Sequence, residues 1–234
     1  MNDTFKINKD FFANKNLLIL GDSVSAQATI GNNKTYSTLL KEELNINELK
    51  NAAIGGTTLT YMYEGSNIYK EYKDNAEAID GCRVVYNLSK NNELSKFDYV
   101  IIAYGHNDQY FQPPLDEENT NPITLNDIHS FKNSYRYIIK ALKEANKNMK
   151  IIILNCTYSE YDIVSPTKYD GGLKYSDYRN ASKEIADEYK LKYIDPWDYM
   201  KHFFDYNTNK FYYQDSVHLS KNGHIELFKY LLNK

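Results

Sequence analysis

The chain has 234 residues, 42% hydrophobic and 25% charged, which is enough apolar material for a sizeable core and too much for a disordered tail. Against 31 acidic residues stand 28 basic ones, for a formal charge of −3, and no Lys/Arg-rich run offers the footprint of a nucleic-acid binder, so nucleic acid is not an expected partner. Apolar runs such as Leu17–Leu20 and Ile151–Leu154 are far shorter than the roughly 20 residues that span a bilayer. The first sixteen residues contain no apolar stretch leading to a cleavage site, so the expectation is no membrane insertion and a cytoplasmic location. Two cysteines, Cys82 and Cys156, make neither a disulfide framework nor a four-ligand zinc site and are read as free thiols.

Along the chain, short apolar runs alternate with segments of helical period, the pattern of a parallel sheet covered by helices on both faces. The first expected strand, Leu17–Gly21, runs directly into Gly21-Asp22-Ser23-Val24-Ser25. A serine just past a carboxyl strand end, where a following helix would offer free N–H groups to a forming anion, is well placed as a nucleophile. The same tripeptide could equally be an ordinary turn or helix cap. The Gly-x-Ser-x-Gly elbow of the common α/β-hydrolases is not met, because Ser25 stands at its fifth position. A second strand, Leu49–Ala53, leads through Asn51-Ala52-Ala53-Ile54-Gly55-Gly56-Thr57-Thr58, whose glycines let backbone approach a ligand.

The third strand, Tyr99–Tyr104, ends in Gly105-His106-Asn107-Asp108, where the Asn107 amide can hold a developing oxyanion. Ile128, Phe131, Tyr135, Ile138, Ile139 and Leu142 then mark a helix, with Asn126 or Asp127 as its cap. After a fourth strand, Lys150–Cys156, a helical signal runs from Leu173 to Lys190, followed by a fifth strand, Lys192–Asp195. Near the end comes Asp215-Ser216-Val217-His218, in which a carboxylate three residues before a histidine can hold the imidazole Nδ1–H and leave Nε2 free to take a proton. A last helix follows a cap at Ser220. Three long stretches, Thr57–Phe97, Gln109–Asn126 and Thr157–Leu173, each follow a strand's carboxyl end and should wall a ligand crevice.

These four blocks, in this order, resemble the SGNH hydrolases, also called the GDSL esterase/lipase family, over essentially the whole chain. The resemblance implies one domain over residues 1–234, with a flavodoxin-like three-layer α/β sandwich of about five parallel strands and helices on both faces. It implies Ser23 as nucleophile, His218 as general base and then acid, and Asp215 as the carboxylate that orients it. The Ser23 N–H, the Gly56 N–H and the Asn107 amide would form the oxyanion hole, and Asp22, His106 and Val217 would meet the substrate. The first block ends Ser-Val-Ser instead of Ser-Leu, Ala53 replaces a common Gly or Ser, and Ser216 stands where Gly is frequent, but no catalytic atom is lost.

His106 is similar to the histidine of the Gly-His-Asn-Asp seen in carbohydrate O-acetylesterases of this family. Among the 23 tyrosines, Tyr61, Tyr63, Tyr69, Tyr72, Tyr110, Tyr158, Tyr161 and Tyr169 fall in the wall stretches, and their flat faces and polar tips suit a hydroxylated ring better than a long acyl tail. The expectation is a serine esterase acting on a small acyl group, O-acetyl on a carbohydrate, without cofactor or metal. Competing readings are a lipid or thioester hydrolase or an acyltransferase with the same three groups, and a non-catalytic flavodoxin-like binding module. His129, His202 and His224 are read as surface or packing residues. Of the arginines, Arg136 and Arg179 fall in predicted helices, which leaves Arg83 as the one candidate for an anionic substrate, though it reads as a surface charge.

Overall fold

The structure, a computed structural model, describes residues 7–8, 10–26, 35–74, 80–162, 172–204 and 211–232. Five strands, β1 (Asn16–Gly21), β2 (Glu48–Asn51), β3 (Tyr99–Ala103), β4 (Lys150–Leu154) and β5 (Lys192–Ile194), form one sheet in the order β2-β1-β3-β4-β5. Every pairing is parallel, with Leu17 beside Tyr99 and Leu49, and Ile101 beside Ile152. All five expected strands are present, shorter at some carboxyl ends because the Ala52–Ala53, Tyr104 and Asn155–Cys156 segments leave the sheet to build loops.

Successive side chains of a strand point to opposite faces, and here both faces are covered. Leu17, Ile19, Ile101, Ile152 and Leu154 join one core with Tyr36, Leu39 and Leu40 of α2 (Tyr36–Glu43), Trp197 and Met200 of α8 (Trp197–Lys201) and Leu227, Phe228 and Leu231 of α9 (Lys221–Leu232). Leu18, Leu20, Val100, Ile102, Ile151 and Ile153 join the other with α4 (Gly81–Lys90), α6 (Phe131–Ala145) and α7 (Tyr175–Glu188). This is the expected three-layer, flavodoxin-like α/β arrangement. The continuous apolar runs of β1, β3 and β4 follow from burial on both sides, since neither face can accept a polar residue without a partner.

Two helical expectations needed correction. The helix predicted from Ile128 begins at Phe131, capped by Ser130, whose hydroxyl accepts from Asn133 N–H; Thr124 and Asp127 close a separate 3-10 turn, Leu125–Asp127. The stretch Thr57–Phe97, read as irregular, contains α3 (Asn67–Tyr72) and α4. Helix α4 opens with Gly81 and carries Val84 and Val85, poor helix formers, so its propensity is weak; its stability comes from the Asp80 cap and from packing its apolar face on α6 and β1. Cys82 and Cys156 are both buried free thiols, one in each core.

Candidate functional site

Strand order reverses direction at β1, so the crevice beyond the carboxyl ends of β1 and β3 is the topological switch point where ligands of open α/β sheets bind. The expected blocks meet there. Gly21 ends β1 so tightly that a Cβ on it would lie 2.7 Å from Ser25 Oγ and 2.8 Å from the Ala103 carbonyl, so only glycine permits this turn. Ser23 opens α1 (Ser23–Ala26), held by Asp22 Oδ1, which accepts from Val24 N–H at 3.0 Å, and by Asn51 Nδ2, which donates to the Ser25 carbonyl at 2.7 Å. At four residues, α1 carries little macrodipole, and its Val24, Ser25 and Ala26 N–H groups all donate to Asp22.

His218 arrives from the far end of the chain on a loop closed by the antiparallel bridge between Tyr213 and Leu219 and by Gln214 N–H donating to the His218 carbonyl at 2.8 Å. Behind it, α9 packs so closely that a Cβ on Gly223 would lie 2.0 Å from the Tyr212 carbonyl. Ser220 Oγ accepts from Gly223 N–H at 3.3 Å, as its expected role as cap requires. The loop brings His218 Nε2 to 2.9 Å from Ser23 Oγ and His218 Nδ1 to 2.7 Å from Asp215 Oδ2. Asp215 Oδ1 also accepts from the N–H groups of Val217 and His218, at 2.8 and 2.7 Å. Partial burial raises the Asp215 pKa, but these backbone donors and the His218 ring outweigh it and hold the carboxyl below the usual range. An acceptor-only carboxylate on Nδ1 places the imidazole proton there and leaves Nε2 able to accept from the serine hydroxyl.

Across the crevice, Gly105 turns the chain with φ +138°, and α5 (His106–Phe111) begins. Asn107 Nδ2 donates one hydrogen to the Thr57 carbonyl at 2.8 Å, fixing the amide and keeping the second N–H available. Gly56 sits at φ +77°, where a side chain would be strained, and a Cβ on Gly55 would approach Ser23 Cβ to 3.8 Å. Asp108, fully buried, accepts from Leu59 N–H, Thr60 N–H and Thr60 Oγ1 at 2.8, 3.0 and 2.7 Å, tying this loop to α5; burial lifts its pKa to about 6 even against those donors.

The three residues expected to meet substrate separate. Val217 is half-buried next to His218 and packs on the core below. Asp22 and His106 are 1% and 5% exposed and lie beneath the crevice floor, because the turn of Ser23 and the start of α5 close over them. Two features went unnoticed in the sequence. The Tyr72 hydroxyl faces Gly56, 4.0 Å from where a Cβ would stand, and Ser216 Oγ bonds Glu160 on the facing loop. Of the tyrosines expected in the walls, Tyr158 is buried, Tyr61, Tyr63, Tyr69, Tyr72, Tyr110 and Tyr161 are half-buried, and Tyr169 lies outside the described residues. Arg83 pairs with Asp80 at 3.5 Å and stacks on Tyr61. Among the described residues, no group of three or more His, Cys, Asp or Glu is arranged to hold a metal, and no helix is long and apolar enough to cross a membrane.

Residues 19–224 match the model of the GDSL-like lipase/acylhydrolase family. The chain belongs to that family. Its members are SGNH hydrolases, and the chain is accordingly a carboxylic ester hydrolase. Solved structures of the same fold include a Lactobacillus plantarum protein (16% identity, 94% of this chain and 95% of that one, TM-score 0.68) and a possible lipase from Chitinophaga pinensis (16%, 93% and 96%, 0.60). A catalytic mutant of an acetylxylan esterase from Geobacillus stearothermophilus also shares it (19%, 98% and 95%, 0.56). No curated protein matches the chain in sequence.

Proposed function

We propose that this SGNH hydrolase removes small acyl groups, acetyl foremost, from a carbohydrate ester through a serine nucleophile and an acyl-enzyme. The observation that carries the reading is the unbroken chain from Ser23 Oγ through His218 to Asp215, at 2.9 and 2.7 Å, at the strand-end crevice. In it His218 Nε2 takes the Ser23 proton as Oγ attacks the ester carbonyl, and the imidazolium that forms is stabilised by Asp215. The Ser23 and Gly56 N–H groups and the second Asn107 N–H would receive the oxyanion. His218 then returns the proton to the departing sugar oxygen, and water repeats the sequence to free the acid.

Two things support a small acyl group on a sugar. The half-buried tyrosines of the walls, Tyr72 beside Gly56 among them, offer flat apolar faces with hydroxyl tips, which match a pyranose in both faces and edges. The acetylxylan esterase of the same fold acts on an acetylated sugar polymer, as its name states. The test is a panel of acetylated saccharides and p-nitrophenyl esters of increasing chain length, run on wild type and Ser23→Ala together. The expected result is turnover highest on acetyl esters and lost in Ser23→Ala, with fluorophosphonate labelling that requires Ser23. Rising turnover with chain length would make the protein a lipid or thioester hydrolase with the same groups. A correctly folded wild type that takes no label would remove the nucleophile.

A further inference from the structure

Directly under the nucleophile turn, three polar atoms are buried without a hydrogen-bond partner: Asp22 Oδ2, His106 Nδ1 and Thr157 Oγ1. Their residues are 1%, 5% and 2% exposed and line one small cavity with Val24, Ser25, Tyr36 and Cys156, which leaves about 10 Å³ for the centre of a water molecule. The hydrogen bonds that do exist define what this cavity needs. His106 Nε2 lies 3.0 Å from the Thr157 carbonyl, which can only accept, so that nitrogen carries the ring proton. In the neutral imidazole Nδ1 is then an acceptor, and it faces another acceptor, Asp22 Oδ2, at 3.4 Å. Two buried acceptors side by side are costly unless a donor reaches both. The Thr157 hydroxyl, also unpartnered, has a hydrogen to give. The other polar groups on the wall are satisfied elsewhere: Tyr36 with Ser25 at 2.7 Å, and Asn155 with Tyr193 and Cys156 N–H.

We propose that Asp22, His106 and Thr157 bind one structural water, which donates its two hydrogens to Asp22 Oδ2 and His106 Nδ1 and accepts the Thr157 hydroxyl hydrogen. This satisfies all three atoms at once, in a space of the size one water requires and with three partners, the usual number for a buried water. Its role is positioning. Asp22 uses its other oxygen to hold Val24 N–H, next to Ser23, so the water ties the nucleophile turn after β1 to the start of α5 after β3 and to the loop after β4. Asp22 and His106 then set where Ser23 Oγ stands relative to His218 and touch no substrate. The titratable groups facing His106 are Asp22, Tyr36 and Cys156 in the cavity and Tyr175, whose ring meets the imidazole edge-on. Burial raises the two tyrosine hydroxyls and the thiol, so these three remain neutral around pH 7.

The competing arrangement places an extra proton on Nδ1, pairs an imidazolium with Asp22 directly and leaves no place for a water. Nitrogen-15 NMR of histidine-labelled wild type, with His106 assigned by comparison with His106→Gln, separates the two. The expected pattern at pH 7 is a neutral ring protonated at Nε2, and a crystal structure of the wild type at water-ordering resolution should show density bonded to all three atoms. A doubly protonated His106, or that cavity without water density, overturns the proposal. Kinetics supply an independent reading. Asp22→Asn still accepts from Val24 N–H through its oxygen, and its amide donates to His106 Nδ1 in place of the water, so kcat should fall less than about tenfold. Asp22→Ala removes both and should lower kcat about 10²-fold with KM little changed, the loss expected when a reacting group shifts by about 1 Å. Equal losses in both variants overturn the positioning role. The positioning claim rests on Ser23 as the nucleophile, but the water does not: a wild type that binds the water and resists fluorophosphonate would sink the hydrolytic reading and leave the site standing.

Discussion

A single amide shows how much chemistry a residue can carry when its neighbours fix it. Asn107 gives one N–H to the Thr57 carbonyl, so in the proposed reaction its other N–H would meet the oxyanion without any rotamer search. Asn107→Ala should therefore lower kcat by about 10²–10³ with a small change in KM, because the lost donor acts where charge develops and not on the bound ester. Steady-state kinetics on the best substrate of the ester panel checks this, and an unchanged kcat removes Asn107 from the oxyanion hole. His106, its neighbour, shows where reading by residue type falls short. The Gly-His-Asn-Asp string suggests a sugar contact, yet the ring is buried and bonded to Thr157, because α5 starts at His106 and successive helical side chains point about 100° apart. Burial of that kind is invisible in a string of four letters.

Among the elements, the loop that carries Asp215 and His218 is held from behind by α9. Gly223 permits that contact, since a Cβ there would overlap the Tyr212 carbonyl at 2.0 Å, a backbone atom that cannot swing aside. Alanine in a helix gains up to about 1 kcal/mol over glycine, whereas overpacking costs about 1–3 kcal/mol, so the steric effect should win. Gly223→Ala is expected to lower the urea unfolding midpoint and to reduce kcat more than KM changes, as the loop moves His218 away from Ser23. A stabilised, fully active variant would show that the loop tolerates the shift. The Gly223-His224 pair was visible in the sequence, but not the reason for the glycine, which lies in a carbonyl eleven residues earlier. Helix α4 was missed for a related reason: with Gly81, Val84 and Val85 it has little propensity of its own, and α6 supplies what local sequence does not.

For the molecule as a whole, a marked pH sensitivity on the acid side comes from a residue outside the proposed reaction. His224 is buried in α9, its Nδ1 accepts from Tyr36 N–H at 3.2 Å, and desolvation lowers its pKa from 6.5 to about 3. The unfolded chain binds that proton first, so the stability given by a neutral His224 is complete above about pH 6.5 and is lost, at about 1.4 kcal/mol per pH unit, as pH falls toward 3. Buried Asp80 and Asp108, both raised from 3.8 to about 6, act oppositely: the folded state holds their protons, and their contribution is lost as pH rises from about 4 to 6. The net curve mixes the two, so the measurement is a difference. Between pH 7 and pH 4.5, the gap in unfolding free energy between wild type and His224→Gln should move in favour of the variant, and a constant gap would mean that His224 takes up its proton over the same pH range in the folded and the unfolded protein. What the sequence determined by itself was local: strands written as Val/Ile/Leu runs, helices as spaced apolar residues, and four motifs, three at strand ends and one before the last helix, whose order pointed to SGNH hydrolases, all set by interactions between near neighbours in the chain. Only the tertiary structure decided the β2-β1-β3-β4-β5 order, the meeting of Ser23 with His218 across 195 positions, and the burial of Asp22 and His106. Those depend on which surfaces two cores bring together, and exclusion of water is a property of the packed whole that no neighbouring pair of residues encodes.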